Sequence, residues 1–152
     1  MSEMIECIGL SQDDFSVVRK YRTVILGTLP DLIDALYDHL MRTGHGGFLE
    51  NVEVEHLKSR QLEHWRSLFE AEIDDVHTAH MTRIGIIHRD RGVTPKVYVQ
   101  SYGWFTGRLL DGIGKRTDVD PSERADLAAA VLKFLFLDMT MALASYDVAL
   151  ID

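Results

Sequence analysis

The chain is poor in the residues that build disulfide-rich, metal-cluster and β-rich proteins. Its 152 residues include one cysteine, Cys7, and three prolines. A single cysteine excludes an intramolecular disulfide and any cysteine-rich zinc or iron–sulfur site. Alternating apolar and polar residues, the pattern of half-buried strands, are scarce, whereas helical periodicity recurs along the chain. The sequence therefore predicts an all-α protein.

Positive charge is also in short supply. Lysine and arginine number 16 against 24 acidic residues, which gives a formal net charge of −8. An acidic surface repels phosphate, so nucleic-acid binding is disfavoured. Residues 1–4 lack the features of a secretory signal, and Lys133 and Asp138 interrupt the longest apolar stretch. We therefore expect no membrane span and a cytoplasmic location.

Hydrophobic periodicity predicts six helices, with no repeat and no long linker between them. Each of the three prolines falls where a helix could begin, a position at which the missing N–H costs nothing. Asp120 and Glu123 have the spacing of a capping box at the start of the last helix. The predicted helices span 11–27, 30–41, 52–70, 75–91, 95–112 and 121–149.

The last helix is apolar on nearly every face between Leu127 and Leu143. A helix of this kind must be buried on two sides. In a domain of this size, one face of the last helix would normally meet water, so the pattern predicts a homodimer interface formed by this helix and part of the fifth. The alternative, that the helix runs through the middle of the fold, remains open.

Two polar side chains lie on apolar helical faces, where a buried polar group requires a hydrogen-bond partner or a ligand. His88 shares a face with Met81 and Ile84 near the end of the fourth helix, and Tyr37 shares one with Leu36. An imidazole in such surroundings suits an axial haem ligand whose other nitrogen donates a hydrogen bond. A buried phenol needs a partner, which is either a backbone carbonyl or a bound ligand. We expect His64 to pack locally and the other histidines to be exposed: His39, His45, His56, His77 and His80.

Residues 83–98 read RIGIIHRDRGVTPKVY. This stretch resembles the F helix and following corner of globin-coupled sensors and protoglobins, in which a histidine is followed at fixed spacing by glycine, proline and tyrosine. Residues 57–69 resemble the E helix of the same family, at the expected distance from His88. Residues 36–37 resemble the B-helix pair that ends in the distal tyrosine. The similarity extends from about residue 11 to the C-terminus.

The resemblance implies one globin sensor domain over residues 1–152. Its expected fold is a three-on-three helical sandwich with the D helix absent or reduced, which dimerises through the G and H helices. The implied cofactor is haem b, iron protoporphyrin IX. Six residues are expected to contact the haem or its ligand: His88 as proximal iron ligand, Tyr98 hydrogen-bonded to that imidazole, Tyr37 as distal donor to O2, Leu57 over the distal face, Ile84 on the apolar face, and Arg60 directed outward or towards a propionate.

The implied function is O2 sensing, with CO and NO as further ligands, and the domain itself is not expected to be an enzyme. Ligand binding would be relayed through the dimer interface to a C-terminal or separate output module. Two alternatives keep the fold: a haem enzyme with redox or NO-detoxifying activity, and a haem-free signalling module. A third is a di-metal carboxylate bundle, for which Glu53 and His56 have the ligand spacing.

Overall fold

A computed structural model of the chain describes residues 2–146, and this part is helical without strands. Seven α-helices follow one another, with short 3₁₀ turns at Gly46–Leu49 and Ala144–Tyr146. The helices are α1 (Ser2–Ile8), α2 (Gln12–Lys20), α3 (Arg22–Arg42), α4 (Val54–Phe69), α5 (Asp75–Asp90), α6 (Pro95–Gly114) and α7 (Arg124–Leu143).

The N-terminal third differs from the prediction, since α1 was not foreseen and the helix expected over 11–27 is divided. The break falls at Tyr21, whose φ and ψ of −103° and 16° are not helical. The Tyr21 hydroxyl donates to the Glu123 carboxylate and accepts from the Asp120 N–H at 3.3 Å. We attribute the change of direction to this long-range attachment. Local periodicity carries no information about such a contact, so the sequence did not predict the break.

Two of the three prolines do not start helices. Pro30 lies inside α3, where its ring is exposed to solvent. Pro121 lies in a turn, so the predicted capping box is wrong and α7 begins only at Arg124. Glu123 instead holds Lys20, with Nζ and Oε2 2.6 Å apart. Only Pro95 opens a helix, next to the N-cap Thr94.

The core is formed where α3 packs against α4 and α6, and where α7 packs against α2, α5 and α6. Helix α7 is buried along two faces and leaves the apolar side chains of Leu132 and Phe136 exposed. It therefore runs through the fold and also presents an apolar strip to solvent. The last part of the predicted helix, 147–149, lies outside the described residues.

Helix α7 and the turn after it, Arg124–Tyr146, are long and apolar enough to cross a membrane by length and composition alone. Half of its most apolar 18-residue window is buried in the protein. A buried core helix meets the same criteria, and the packing of α7 against α2, α5 and α6 accounts for its composition.

Helices α5 and α7 approach each other closely at Gly85. A Cβ atom on this glycine would lie 2.1 Å from the carbonyl oxygen of Ala142 and 2.4 Å from Ser145 Oγ. One turn later Arg89 Nη1 donates to the Ser145 carbonyl at 2.8 Å. These contacts fix α5 against the end of α7, so the side chain of His88 has a defined position relative to the core.

Because the obstacle at Gly85 is backbone, we expect Gly85→Ala to lower the free energy of unfolding by about 1–3 kcal/mol. Urea unfolding measures the difference. Gly27→Ala is the matched control, since nothing lies within 4 Å of its added Cβ and alanine favours the helix by about 0.5–1 kcal/mol. Equal destabilisation by the two substitutions would contradict the close contact.

Candidate functional site: an apolar cavity beside His88

A cavity of about 370 Å³ lies between α3, α4, α5 and α6. This volume is in the range of small-molecule and cofactor sites. Two stacked aromatic rings form part of its lining, Trp65 and Phe105, with 4.5 Å between ring centroids. The structure brings all six predicted contact residues to its wall: Tyr37, Leu57, Arg60, Ile84, His88 and Tyr98.

One ring nitrogen of His88 is hydrogen-bonded to the backbone, and the other is available to bind a ligand. Its Nδ1 lies 2.8 Å from the carbonyl oxygen of Ile84, one turn earlier in α5. A carbonyl can only accept, so Nδ1 carries the proton and Nε2 carries the lone pair. Burial lowers the pKa of His88, which favours this neutral form. The arrangement is that of a metal-ligating histidine with a fixed tautomer.

Tyr37 remains a hydrogen-bond donor across the physiological range. Desolvation raises the pKa of its phenol to about 12, against opposing effects from Lys58 and Arg91. Its side chain lies on the cavity wall and is only partly buried. A neutral hydroxyl at an apolar wall can donate one hydrogen bond to a polar ligand in the cavity.

The apolar wall on α4 and α5 is only partly covered by residues 2–146. Leu57 and Ile84 are partly exposed, and Ile87 retains 43% of its surface although it lines the cavity. Partly exposed apolar side chains on the wall of a cavity that also has aromatic lining suit a flat apolar group that would cover them. Three arginines at the rim, Arg60, Arg83 and Arg91, suit carboxylates on such a group.

Arg60 points outward. Its side chain is 66% exposed, and Nη1 lies 3.3 Å from Oε2 of Glu63, one turn away on α4. This is the outward orientation considered for it, and it leaves no unpaired charge inside the cavity.

Tyr98 lies beside His88, but the expected hydrogen bond between them is not formed. The two rings meet edge to face at 5.3 Å between centroids, with an angle of 74° between their planes. The imidazole proton goes to Ile84 instead, because the carbonyl one turn back in the same helix is already in reach.

Sequence reasoning missed a buried polar group on the same cavity wall. His64, Tyr102 and Asp138 line the cavity and retain 5%, 9% and 2% of their surface. His77, expected to be exposed, is also buried, and its Nδ1 lies 3.0 Å from Ser67 Oγ. One signal was available: Asp138 is an acidic residue in an otherwise apolar helical segment, where a charge needs a partner.

The di-metal arrangement finds no support in the geometry. Among residues 2–146, no group of three or more histidine, cysteine or acidic side chains is placed to hold a metal ion. Glu53 and His56 are exposed at the start of α4. Of the other histidines expected to be exposed, His45 and His80 are, whereas His39 is half-buried and stacks on Trp104 at 4.6 Å.

Comparison with known proteins identifies the fold and the family. The protoglobin family model matches residues 1–150. The chain belongs to the protoglobin family. The globin domain of the Geobacter sulfurreducens globin-coupled sensor has the same fold, with a TM-score of 0.86 and 23% identity over 97% of this chain and 98% of that one. The predicted all-α globin fold is thereby confirmed.

A longer relative has a signalling description. The "Heme-based aerotactic transducer HemAT" of Halobacterium salinarum is 31% identical over 134 residues, which is 86% of this chain and 27% of that protein. This protoglobin chain therefore spans about a quarter of the length of the curated relative it matches. Haem b is the cofactor of the family, and the cavity fits it: an available imidazole nitrogen, apolar walls and cationic side chains at the rim.

Proposed function

We propose that this protoglobin domain is a haem-based O2 sensor in which the His88 imidazole would hold the haem iron. The observation that carries the proposal is the state of the His88 imidazole. Its Nδ1–H donates to the Ile84 carbonyl oxygen, with 2.8 Å between the two heavy atoms. This leaves the Nε2 lone pair available beside an apolar cavity. When bound there, haem supplies a ferrous iron with one open coordination position for a diatomic gas.

The chain's own residues set how a gas molecule is held. The apolar walls exclude water and lower the local dielectric constant, which strengthens a hydrogen bond formed inside. Tyr37 supplies that bond, since its hydroxyl stays protonated and lies on the wall. With haem in the cavity, a donor at this place would favour binding of O2 over the less polar CO. Leu57 restricts the entry of water above the cavity.

A route for signalling runs from α5 to α7. Gly85 and Arg89 attach α5 to the end of α7, so a displacement of His88 is passed to that helix. Val99 on α6 and Leu132 and Phe136 on α7 are exposed apolar side chains, retaining 44%, 36% and 49% of their surface. We place a homodimer interface on these helices, through which ligand binding biases two subunit arrangements. The signal would pass from there to a C-terminal or separate output module.

The domain acts as a ligand-binding module and not as an enzyme, and it works in the cytoplasm. The description of HemAT as a transducer supports the sensor role. An output activity, where one exists, belongs to the partner that receives the signal.

Substitution of His88 by alanine removes the only axial nitrogen in this proposal. Loss of a group that orients a metal ligand typically weakens metal binding by about 10- to 100-fold. Loss of the ligand itself should cost at least as much, so we expect His88→Ala to weaken haem binding by more than roughly tenfold. Haem titration followed by the Soret absorbance measures this. His39→Ala is the matched control, because His39 stacks on Trp104 and does not line the cavity. Unchanged binding by the His88 variant would refute the ligand assignment.

Removal of the Tyr37 hydroxyl should release O2 more readily. A hydrogen bond to a charged acceptor contributes about 1.5–3 kcal/mol, so we expect Tyr37→Phe to weaken O2 binding by about one to two orders of magnitude. CO affinity should change much less, and it serves as the internal control. An unchanged O2 dissociation rate, measured by stopped flow, would exclude Tyr37 as the donor.

The proposed interface is tested by placing a charge on the exposed strip of α7. Phe136→Glu should convert a dimer to a monomer, because a carboxylate cannot be buried without a partner. Sedimentation velocity distinguishes the two states. Val76→Glu is the control, since Val76 is 76% exposed on α5. A wild-type protein that is monomeric at all concentrations would remove the dimer from the account.

A further inference from the structure

Three buried polar side chains meet on the cavity wall, each contributed by a different helix. His64 belongs to α4, Tyr102 to α6 and Asp138 to α7. His64 Nε2 lies 2.8 Å from Asp138 Oδ1, although the ring N–H is not aligned for a hydrogen bond. The Tyr102 hydroxyl donates to Asp138 Oδ2. The carboxylate therefore connects α4, α6 and α7 at the cavity wall.

The pKa of Asp138 is lowered despite its burial. Burial alone would raise its pKa, but the neighbouring His64 and the Tyr102 hydroxyl outweigh that effect, and the pKa lies below its usual value. Burial and the adjacent carboxylate raise the pKa of Tyr102 well above normal, so the phenol keeps its proton. The hydrogen bond thus has one direction, from Tyr102 to Asp138. A buried charge of this kind costs stability unless its partners are kept in place.

The contacts continue from Tyr102 to His88. The rings of Tyr102 and Tyr98, one turn apart on α6, lie 5.3 Å apart between centroids and are tilted by 49°. Tyr98 in turn presents its ring to the His88 imidazole at 5.3 Å and 74°. Asp138 is thereby linked to His88 through two tyrosines.

His88 needs a second restraint besides its hydrogen bond. The bond from Nδ1 to the Ile84 carbonyl fixes one point of the imidazole, and the ring can still tilt about the line of that bond. An edge-to-face contact on a ring resists such a tilt, because tilting separates the two rings or drives them together. Tyr98 occupies that position, and its own place depends on Tyr102.

We propose that Asp138 is a positioning residue for the His88 imidazole. Its carboxylate anchors Tyr102, Tyr102 holds Tyr98, and Tyr98 sets the tilt of the imidazole plane. This inference rests on the proposed function, in which His88 Nε2 coordinates the haem iron. His64 approaches the same carboxylate from α4, with Nε2 2.8 Å from Asp138 Oδ1.

The test uses the haem-loaded protein in the ferrous state without gas, and it compares Asp138→Asn, Tyr102→Phe and the double variant. Resonance Raman spectroscopy measures the iron–imidazole stretching frequency, which reports the tilt and strain of that bond. We expect both single variants to shift the frequency in the same direction. The double variant should shift it no further than the larger single effect, because the two residues act in one chain of contacts.

The matched control is Asp126→Asn, an exposed aspartate in the first turn of the same helix. It should leave the frequency unchanged. O2 affinity provides a second readout, and we expect a change of about two- to tenfold for Asp138→Asn, the range that corresponds to one hydrogen bond. If Asp138→Asn does not fold, Tyr102→Phe still decides the question, because it keeps the aromatic ring and removes only the hydroxyl.

An unchanged frequency in Tyr102→Phe, or strictly additive shifts in the double variant, would overturn the positioning role and leave a purely structural link between helices. These outcomes are distinct from a failure of the proposed function. In that case the wild-type protein itself would show no iron–imidazole band, or would bind no haem.

Discussion

The hydrogen bond between His88 Nδ1 and the Ile84 carbonyl is the interaction on which the site depends. It is local, spans one turn of α5 and measures 2.8 Å. By committing one ring nitrogen it defines the other as a Lewis base. A free imidazole would exchange tautomers and rotate, whereas this one presents a lone pair from a helix that is itself fixed. The chemistry of a haem pocket needs that prior arrangement, because the iron–nitrogen bond is directional.

The rest of the fold holds α5 in place and forms the cavity beside it. Gly85 lets α5 approach the backbone of α7, and Arg89 adds a hydrogen bond to Ser145. On the other side of α5, the side chains of Ile84 and Ile87 line the cavity and stay partly exposed. Within the described residues, the same helix is therefore tightly held along one face and open along another. In the proposed relay, this asymmetry would connect a ligand in the cavity to α7, which carries the exposed apolar strip.

How much could be predicted from sequence depended on whether the deciding interactions were local. The all-α class and the position of His88 on an apolar face followed from periodicity, and the spacing of histidine, glycine, proline and tyrosine indicated the family. The break at Tyr21 and the late start of α7 did not follow, because both depend on a contact between Tyr21 and Glu123, 102 residues apart. In the sequence, Asp138 stands out only as an interruption of an apolar stretch. Its partners His64 and Tyr102 come from two other helices, and a single sequence gives no sign of their pairing.

The central claim is that His88 Nε2 coordinates the haem iron. It is tested most directly by removing the imidazole side chain through mutation and adding imidazole from solution. His88→Gly opens a space that exogenous imidazole can fill. The resonance Raman spectrum of the ferrous protein should lose the iron–imidazole band in this variant and regain it when ¹⁵N-imidazole is added, at a frequency shifted by the isotope. An iron–imidazole band that persists in His88→Gly without added imidazole would contradict the account, because another histidine would then hold the iron.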